Sequence, residues 1–281
     1  MRSVWLGVER LVALRFWVAL MVTSLSAAVS VGLGLSPAPQ AVGLVFFSAL
    51  GIYNLDHLVD REKGLGRWPW RLTLGSLLAI VALLAMARPA LRWLVVGGLL
   101  AISLYFVPFP WRGRSVRLEN LPGFKPLLVG SAVAIGSIAV PWLSTRAHGR
   151  EAAYPPVVAL GLAVVLAELC ACNALLFDIG DSELDKAAGV PTAPSVRGVT
   201  FTRKLASFGL AAAAVQSLVS VLCGSGPSAL YGGTTLAALW LLGAAWLLPE
   251  RTPRAVLALI VDGALALPWL FLLVFGAVRG S

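Results

Sequence analysis

The chain has 281 residues, 59% of them hydrophobic and only 12% charged, with a mean hydropathy of +0.88. Soluble domains are about 45–50% apolar and about 25% charged, so a water-soluble globular protein is excluded and a polytopic membrane protein is indicated. The formal net charge of +9 fits Lys and Arg gathered in loops on one side of a bilayer; no nucleic-acid motif accompanies it, so nucleic acid is not an expected partner.

A spanning helix needs about 20 mostly apolar residues. Nine segments meet that measure: 11–33, 39–58, 72–88, 91–108, 125–144, 154–178, 205–224, 228–248 and 254–278. The first reads as a span rather than a cleaved signal peptide. Arg88-Pro89-Ala90 makes a tight turn between the third and fourth, and Pro or Gly marks the other breaks. The loops after the even-numbered segments hold most of the Lys and Arg, including Arg61, Lys63, Arg112, Arg117, Lys186 and Arg254. Arg88, Arg92, Arg146, Arg150 and Arg279 fall on the other side. The bias puts the N-terminus in the cytoplasm and, with nine spans, the C-terminus outside. Cys170, Cys172 and Cys223 lie in apolar runs without a CxxC pair and read as buried free thiols.

The acids are concentrated where hydrocarbon ends. Asp178-Ile-Gly-Asp181-Ser-Glu183-Leu-Asp185-Lys186 follows the sixth segment, and Asp56-His-Leu-Val-Asp60-Arg61-Glu62-Lys63-Gly64 follows the second. Asp56, Asp60, Gly64 and Pro69 match Asp181, Asp185, Gly189 and Pro194, each 125 positions on. The expectation is one polytopic domain over 1–281 with an internal duplication, its copies at 56–69 and 181–194. Helical residues four apart share a face, so Asp56 and Asp60 point one way, as do Asp178, Asp181 and Asp185. His57 points away from that face, and Glu183 suits a nearby Lys or Arg. Two such helix ends meeting would form a carboxylate cup that repels itself. A hard divalent cation relieves that, and oxygen donors suit Mg2+, which usually bridges carboxylates to substrate phosphates. The cup therefore implies a phosphorylated substrate, with neighbouring basic residues as a phosphate clamp. The spacing of a calcium-binding EF-hand loop is absent.

The second motif, Asp178-x-x-Asp181-x-Glu183-x-Asp185-Lys186-x-x-Gly189-x-x-Thr192-x-Pro194, resembles the second aspartate motif of the UbiA superfamily of intramembrane prenyltransferases. The first motif departs from the family pattern: Ile52 and Tyr53 stand where Asn and Asp are expected, and Asn54 comes two residues late. Tyr105 is followed four residues on by Phe109 where many members have Lys, while Lys125 resembles a lysine of divergent bacterial members. The resemblance implies an all-α integral membrane fold of nine transmembrane helices in a bundle around a central cavity, with cytoplasmic helical caps. It implies a Mg2+-dependent transfer from a polyprenyl diphosphate donor to a hydrophobic acceptor, aromatic or a quinone precursor, through an allylic carbocation. Asp56, Asp60, Asp178, Asp181 and Asp185 would hold the metal, and Asp56, Asp60, Asp181 and Asp185 would carry the chemistry. Tyr53, Asn54, Arg112, Arg117, Lys125, Asn173 and Lys186 would contact substrates. The expected setting is the lipid bilayer of a bacterial inner membrane, with the N-terminus and active site cytoplasmic.

Two acids, Glu168 and Asp262, lie inside spans and are functional candidates on that ground. Glu168 suits either an acceptor contact or a hydrogen-bonded structural role. Tyr53 suits either packing or stabilisation of a cation. Two other readings of the chain remain: a prenyl-diphosphate-binding protein without turnover, and an ion-coupled transporter, whose acids usually lie near the midplane.

Overall fold

Hydrocarbon offers the backbone no hydrogen-bond partner, so apolar segments that cross it fold as helices. A computed structural model describes residues 2–59, 66–106, 109–111, 114–116, 118, 123–147 and 152–277. The helices are α1 (Arg2–Ala13), α2 (Phe16–Gly32), α3 (Pro39–Val59), α4 (Trp68–Ala85), α5 (Pro89–Phe106), α6 (Phe124–Ala147), α7 (Pro156–Ala188), α8 (Ala193–Arg197), α9 (Val199–Leu222), α10 (Ser228–Leu247), α11 (Arg254–Val261) and α12 (Leu267–Ala277). Between α5 and α6 lies a short antiparallel hairpin, β1 (Phe109–Trp111) with β2 (Arg114–Val116), which the all-helical expectation lacked. Among the described residues, seven helices are long and apolar enough to cross a membrane, or eight if α1 and α2 count as one bent span. Pro89–Ile102 is apolar but shorter.

The bundle closes through α6 on α7, α7 on α9, α9 on α10, α10 on α12 and α12 on α2, with α3 and then α4 packed outside α2. Its centre is apolar: Leu25, Leu162, Leu166, Leu210 and Leu241 are fully buried. The outer face is apolar too, as lipid requires, with Leu78, Trp93, Phe208 and Leu247 exposed. Cys170 and Cys172 are buried as expected, but Cys223 is exposed, because it follows the last residue of α9. A groove of about 290 Å3 lined by Trp17, Met21, Trp240, Leu267 and Leu270 opens between α2, α10 and the last span.

Two predicted spans are not continuous helices. The first breaks at Arg15, which adopts the left-handed conformation (φ 62°, ψ 10°), and the residues before it turn 73° away from α2. The last span changes at Asp262–Ala266 into a 3-10 helical turn; Pro268, just beyond, has no N–H to donate. The carbonyls before that change are taken by side chains from three other helices: Trp17 Nε1 donates to Ala258 O at 3.0 Å, Trp240 Nε1 to Ile260 O at 2.9 Å, and Asn173 Nδ2 to Val261 O at 2.9 Å.

The fold carries the second motif on rigid helix. The predicted span ends near residue 178, yet α7 runs unbroken to Ala188, about 15 Å further at 1.5 Å per residue. Gly189 ends it in the left-handed region (φ 70°), its N–H bonded to the Asp185 and Lys186 carbonyls, as a C-terminal glycine does. Pro69 and Pro194 each stand in the first turn of the helix that follows their motif, α4 and α8, where a missing N–H is harmless.

The position of α7 depends on its contact with α6. A Cβ at Gly130 would overlap the Ala167 carbonyl oxygen and the Ala171 backbone nitrogen, so the two helix backbones touch. Gly130→Val should destabilise the protein by about 1–3 kcal/mol, read as a lower unfolding temperature in detergent. An unchanged transition would show that α6 and α7 do not meet at this point.

Candidate functional site

Four helix ends meet at one level of the bundle. Asp56 stands one turn before the end of α3, and Asp178, Asp181 and Asp185 lie along the last turns of α7. Lys125 is in the first turn of α6 and Arg254 is the first residue of α11. Asp178 is buried, and the charges of Lys125, Asp185, Asp181 and Asp56 all act on it. The two acidic motifs, far apart in sequence, are thus brought into one electrostatic cluster. Asp60, Arg112 and Arg117, expected at the same site, lie outside the described residues.

Each motif carries a cation from another helix. Lys125 Nζ is 3.9 Å from Asp56 Oδ2, and Arg254 Nη2 is 3.9 Å from Asp181 Oδ2. Asp185 is oriented differently: Thr192 Oγ1, from the turn after α7, donates to its Oδ2 at 2.9 Å. That turn is itself fixed, since Ser195 Oγ donates to Val190 O and Thr192 O. Lys186 Nζ lies 3.3 Å from Glu183 Oε1 on the exposed side of α7, the partnership expected for Glu183. His57 is buried, off the face that Asp56 presents.

The other predicted contacts are spread more widely. Asn54 is fully buried; its Nδ2 donates to Leu50 O at 2.8 Å and to Leu14 O at 3.1 Å. The second bond braces the backbone just before the Arg15 break, so both amide hydrogens serve structure. Asn54 Oδ1 is buried without a hydrogen-bond partner. Asn173 is buried against α11, holding Val261 O beside Asp262. Tyr53 packs on the apolar core and is near Asp262, Cys170, Asp56 and Arg15. Glu168 accepts from Gln216 Nε2 at 2.8 Å, which joins α7 to α9.

Sequence reasoning had counted Arg254 only toward orientation. The usable signal was its likeness to Lys125: each is a basic residue in the first turn of a helix entering from the cup side, beside a proline, Pro253 or Pro126.

Among the described residues no three Asp, Glu, His or Cys side chains are gathered closely enough to hold a metal alone. That arrangement fits Mg2+ in its common mode, in which one or two carboxylates are completed by water and phosphate oxygens. The donors are all hard carboxylate oxygens, and the flanking cations suit a polyanion.

No protein-family model and no curated protein sequence matches the chain. Solved structures do. A UbiA homologue from Archaeoglobus fulgidus bound to GPP and Mg2+ aligns with a TM-score of 0.63 at 16% identity, covering 92% of this chain and 97% of that one. The same homologue bound to DMAPP and Mg2+ gives 0.64 at 14% identity, covering 95% and 99%. The apo structure of a UbiA homologue from Aeropyrum pernix K1 gives 0.60 at 16% identity, covering 89% and 96%.

Asn54 separates brace from ligand. Asn54→Ala should cost about 1–3 kcal/mol of stability, because two hydrogen bonds are lost inside the bundle, and leave Mn2+ affinity unchanged. Weaker Mn2+ binding with an unaltered unfolding curve would return Asn54 to the metal site. Nearly complete two-way coverage at TM-scores of 0.60–0.64 shows that the chain has the UbiA fold.

Proposed function

We propose that this protein is a membrane prenyltransferase that moves an isoprenoid group from a prenyl diphosphate to a hydrophobic acceptor, with Mg2+. The observation that carries the reading is the convergence of Asp56 with Asp178, Asp181 and Asp185, flanked by Lys125 and Arg254. The UbiA fold supports it, since homologues with that fold hold GPP or DMAPP with Mg2+. The basic loops place the site on the cytoplasmic side. The two motifs descend from an internal duplication.

Asp56, Asp178, Asp181 and Asp185, with Asp60, would hold the metal together with water and diphosphate oxygens. When bound, the metal supplies positive charge where the departing diphosphate develops negative charge. Lys125 binds the same diphosphate oxygens. The allylic carbon–oxygen bond breaks with its electron pair going to the diphosphate. The acceptor's π electrons form the new carbon–carbon bond, and the acceptor then loses a proton. The apolar bundle keeps water from the cation. The acceptor reaches the site from the lipid, and an aromatic or quinone-precursor ring supplies the electrons. A transporter fits less well, because the paired acids stand at helix ends rather than near the midplane.

The test is release of diphosphate from a panel of prenyl diphosphates by the purified protein with Mg2+, with products identified by mass. The double variant Asp181→Asn, Asp185→Asn should lose at least about 100-fold in rate, the scale of losing charge stabilisation in a transition state. EDTA should silence the unaltered protein and added Mg2+ restore it. Full turnover by the double variant would rule out this site, and tight donor binding without diphosphate release would leave a binding protein.

A further inference from the structure

Among the described residues, two cations at the cup, Lys125 and Arg254, come from helices that carry neither motif. A charge-assisted hydrogen bond is typically about 2.7–2.9 Å long, whereas Lys125–Asp56 and Arg254–Asp181 are each 3.9 Å. The four side chains retain 22–41% of their exposure, so water screens both pairs. Lys125 acts on Asp178 and Asp185 of α7 as well as on Asp56 of α3, and Arg254 also reaches more than one acid. Besides Asp181, its charge acts on Asp185 of α7 and on Asp262 of the last span.

We infer that Arg254 is a diphosphate-binding residue which, before the donor arrives, stands in as the counter-ion of Asp181. The inference rests on the donor-site reading above and adds a ligand to it from the last span. A metal ion and the Arg254 guanidinium compete for the same carboxylate. Metal arriving alone must displace the guanidinium from Asp181 without offering it an anion in exchange. Metal arriving with diphosphate does not meet that obstacle, because the guanidinium transfers to phosphate oxygens, which its planar fork suits. The exchange makes metal and diphosphate bind cooperatively, each raising the other's affinity by the same factor. It also limits repulsion between α3 and α7 while the cup holds no ligand.

The test uses the full chain in detergent, with Mn2+ and inorganic pyrophosphate as probes. Free Mn2+ is followed by its magnetic resonance signal, and pyrophosphate binding by calorimetry. Arg254→Gln should bind Mn2+ alone at least as tightly as the unaltered protein. Its affinity for pyrophosphate in the presence of Mn2+ should fall about tenfold, the effect of losing a charge-assisted contact, and the coupling between the two should shrink. Arg254→Lys keeps the charge without the fork, so it should retain most of the coupling and part of the affinity. If the glutamine variant does not fold, the lysine variant decides: unchanged pyrophosphate affinity there overturns the inference. Unchanged pyrophosphate affinity in Arg254→Gln also overturns it. Weaker binding of Mn2+ alone does so too, since it would make Arg254 a structural prop for Asp181. An unaltered protein that binds neither probe overturns the donor-site reading and this inference together, whereas normal binding matched by Arg254→Gln overturns the inference alone.

Discussion

Repulsion among four carboxylates at the edge of the hydrocarbon is the constraint that organises this protein. Asp178 is buried while Asp56, Asp181 and Asp185 act on it. Charge of one sign so placed is costly unless charge of the other sign is brought to it. The chain brings it on separate helices, Lys125 on α6 and Arg254 on α11. Four helix ends must therefore reach a common level, which fixes the heights of α3, α6, α7 and α11 in the bundle. The unbroken extension of α7 to Ala188 serves the same need: it carries Asp181 and Asp185 past the apolar segment on rigid helix, and Gly189 then ends it where Thr192 can turn back to Asp185.

A second demand arises where helices break inside apolar surroundings. Exposed carbonyls there find no water, so side chains must take its place. Asn54 reaches Leu14 O beside the Arg15 break, while Trp17, Trp240 and Asn173 reach the carbonyls ahead of the Asp262 turn. Trp17 links the two breaks directly, since it begins α2 and donates to α11. Asn54 and Asn173 thus serve as braces, and Asn173 with the two tryptophans holds the C-terminal half of α11.

The apolar segments were legible because about 20 consecutive apolar residues have few other uses, and the motif pairing was legible because Asp56 to Pro69 repeats as Asp181 to Pro194. The breaks were not. Arg15 lies among residues that read as an ordinary span entrance, and its left-handed backbone is flanked by bonds to distant helices, from Asn54 to Leu14 O and from Trp17 to Ala258 O, that no local pattern announces. The hairpin at 109–116 was likewise hidden, because Phe109 to Trp111 continues the apolar run of α5. Asn54 was assigned to the substrate contacts by its place near a motif, yet its amide bonds Leu50 O and Leu14 O, because two residues of helix rotate a side chain by about 200° from Asp56. Arg254 was hidden because the bias of Lys and Arg toward one set of loops already accounts for it, so nothing in the sequence asks for a second role.

The reduced first motif also looks different in three dimensions. Along α3, the residue one turn before Asp56 on its face is Tyr53, where the family pattern has an aspartate. Read along α3 alone, that half of the cup has lost a charge. Across the bundle, Asp262 acts on Tyr53 and is buried at the turn that interrupts the last span. A carboxylate absent from α3 thus has a neighbour of the same chemistry supplied by another helix. The charges of Arg15 and Arg254 also act on Asp262. The acidity around Tyr53 and Asp56 is set by how α3 and the last span pack, so the composition of a linear motif is an incomplete measure of the charge a site can hold.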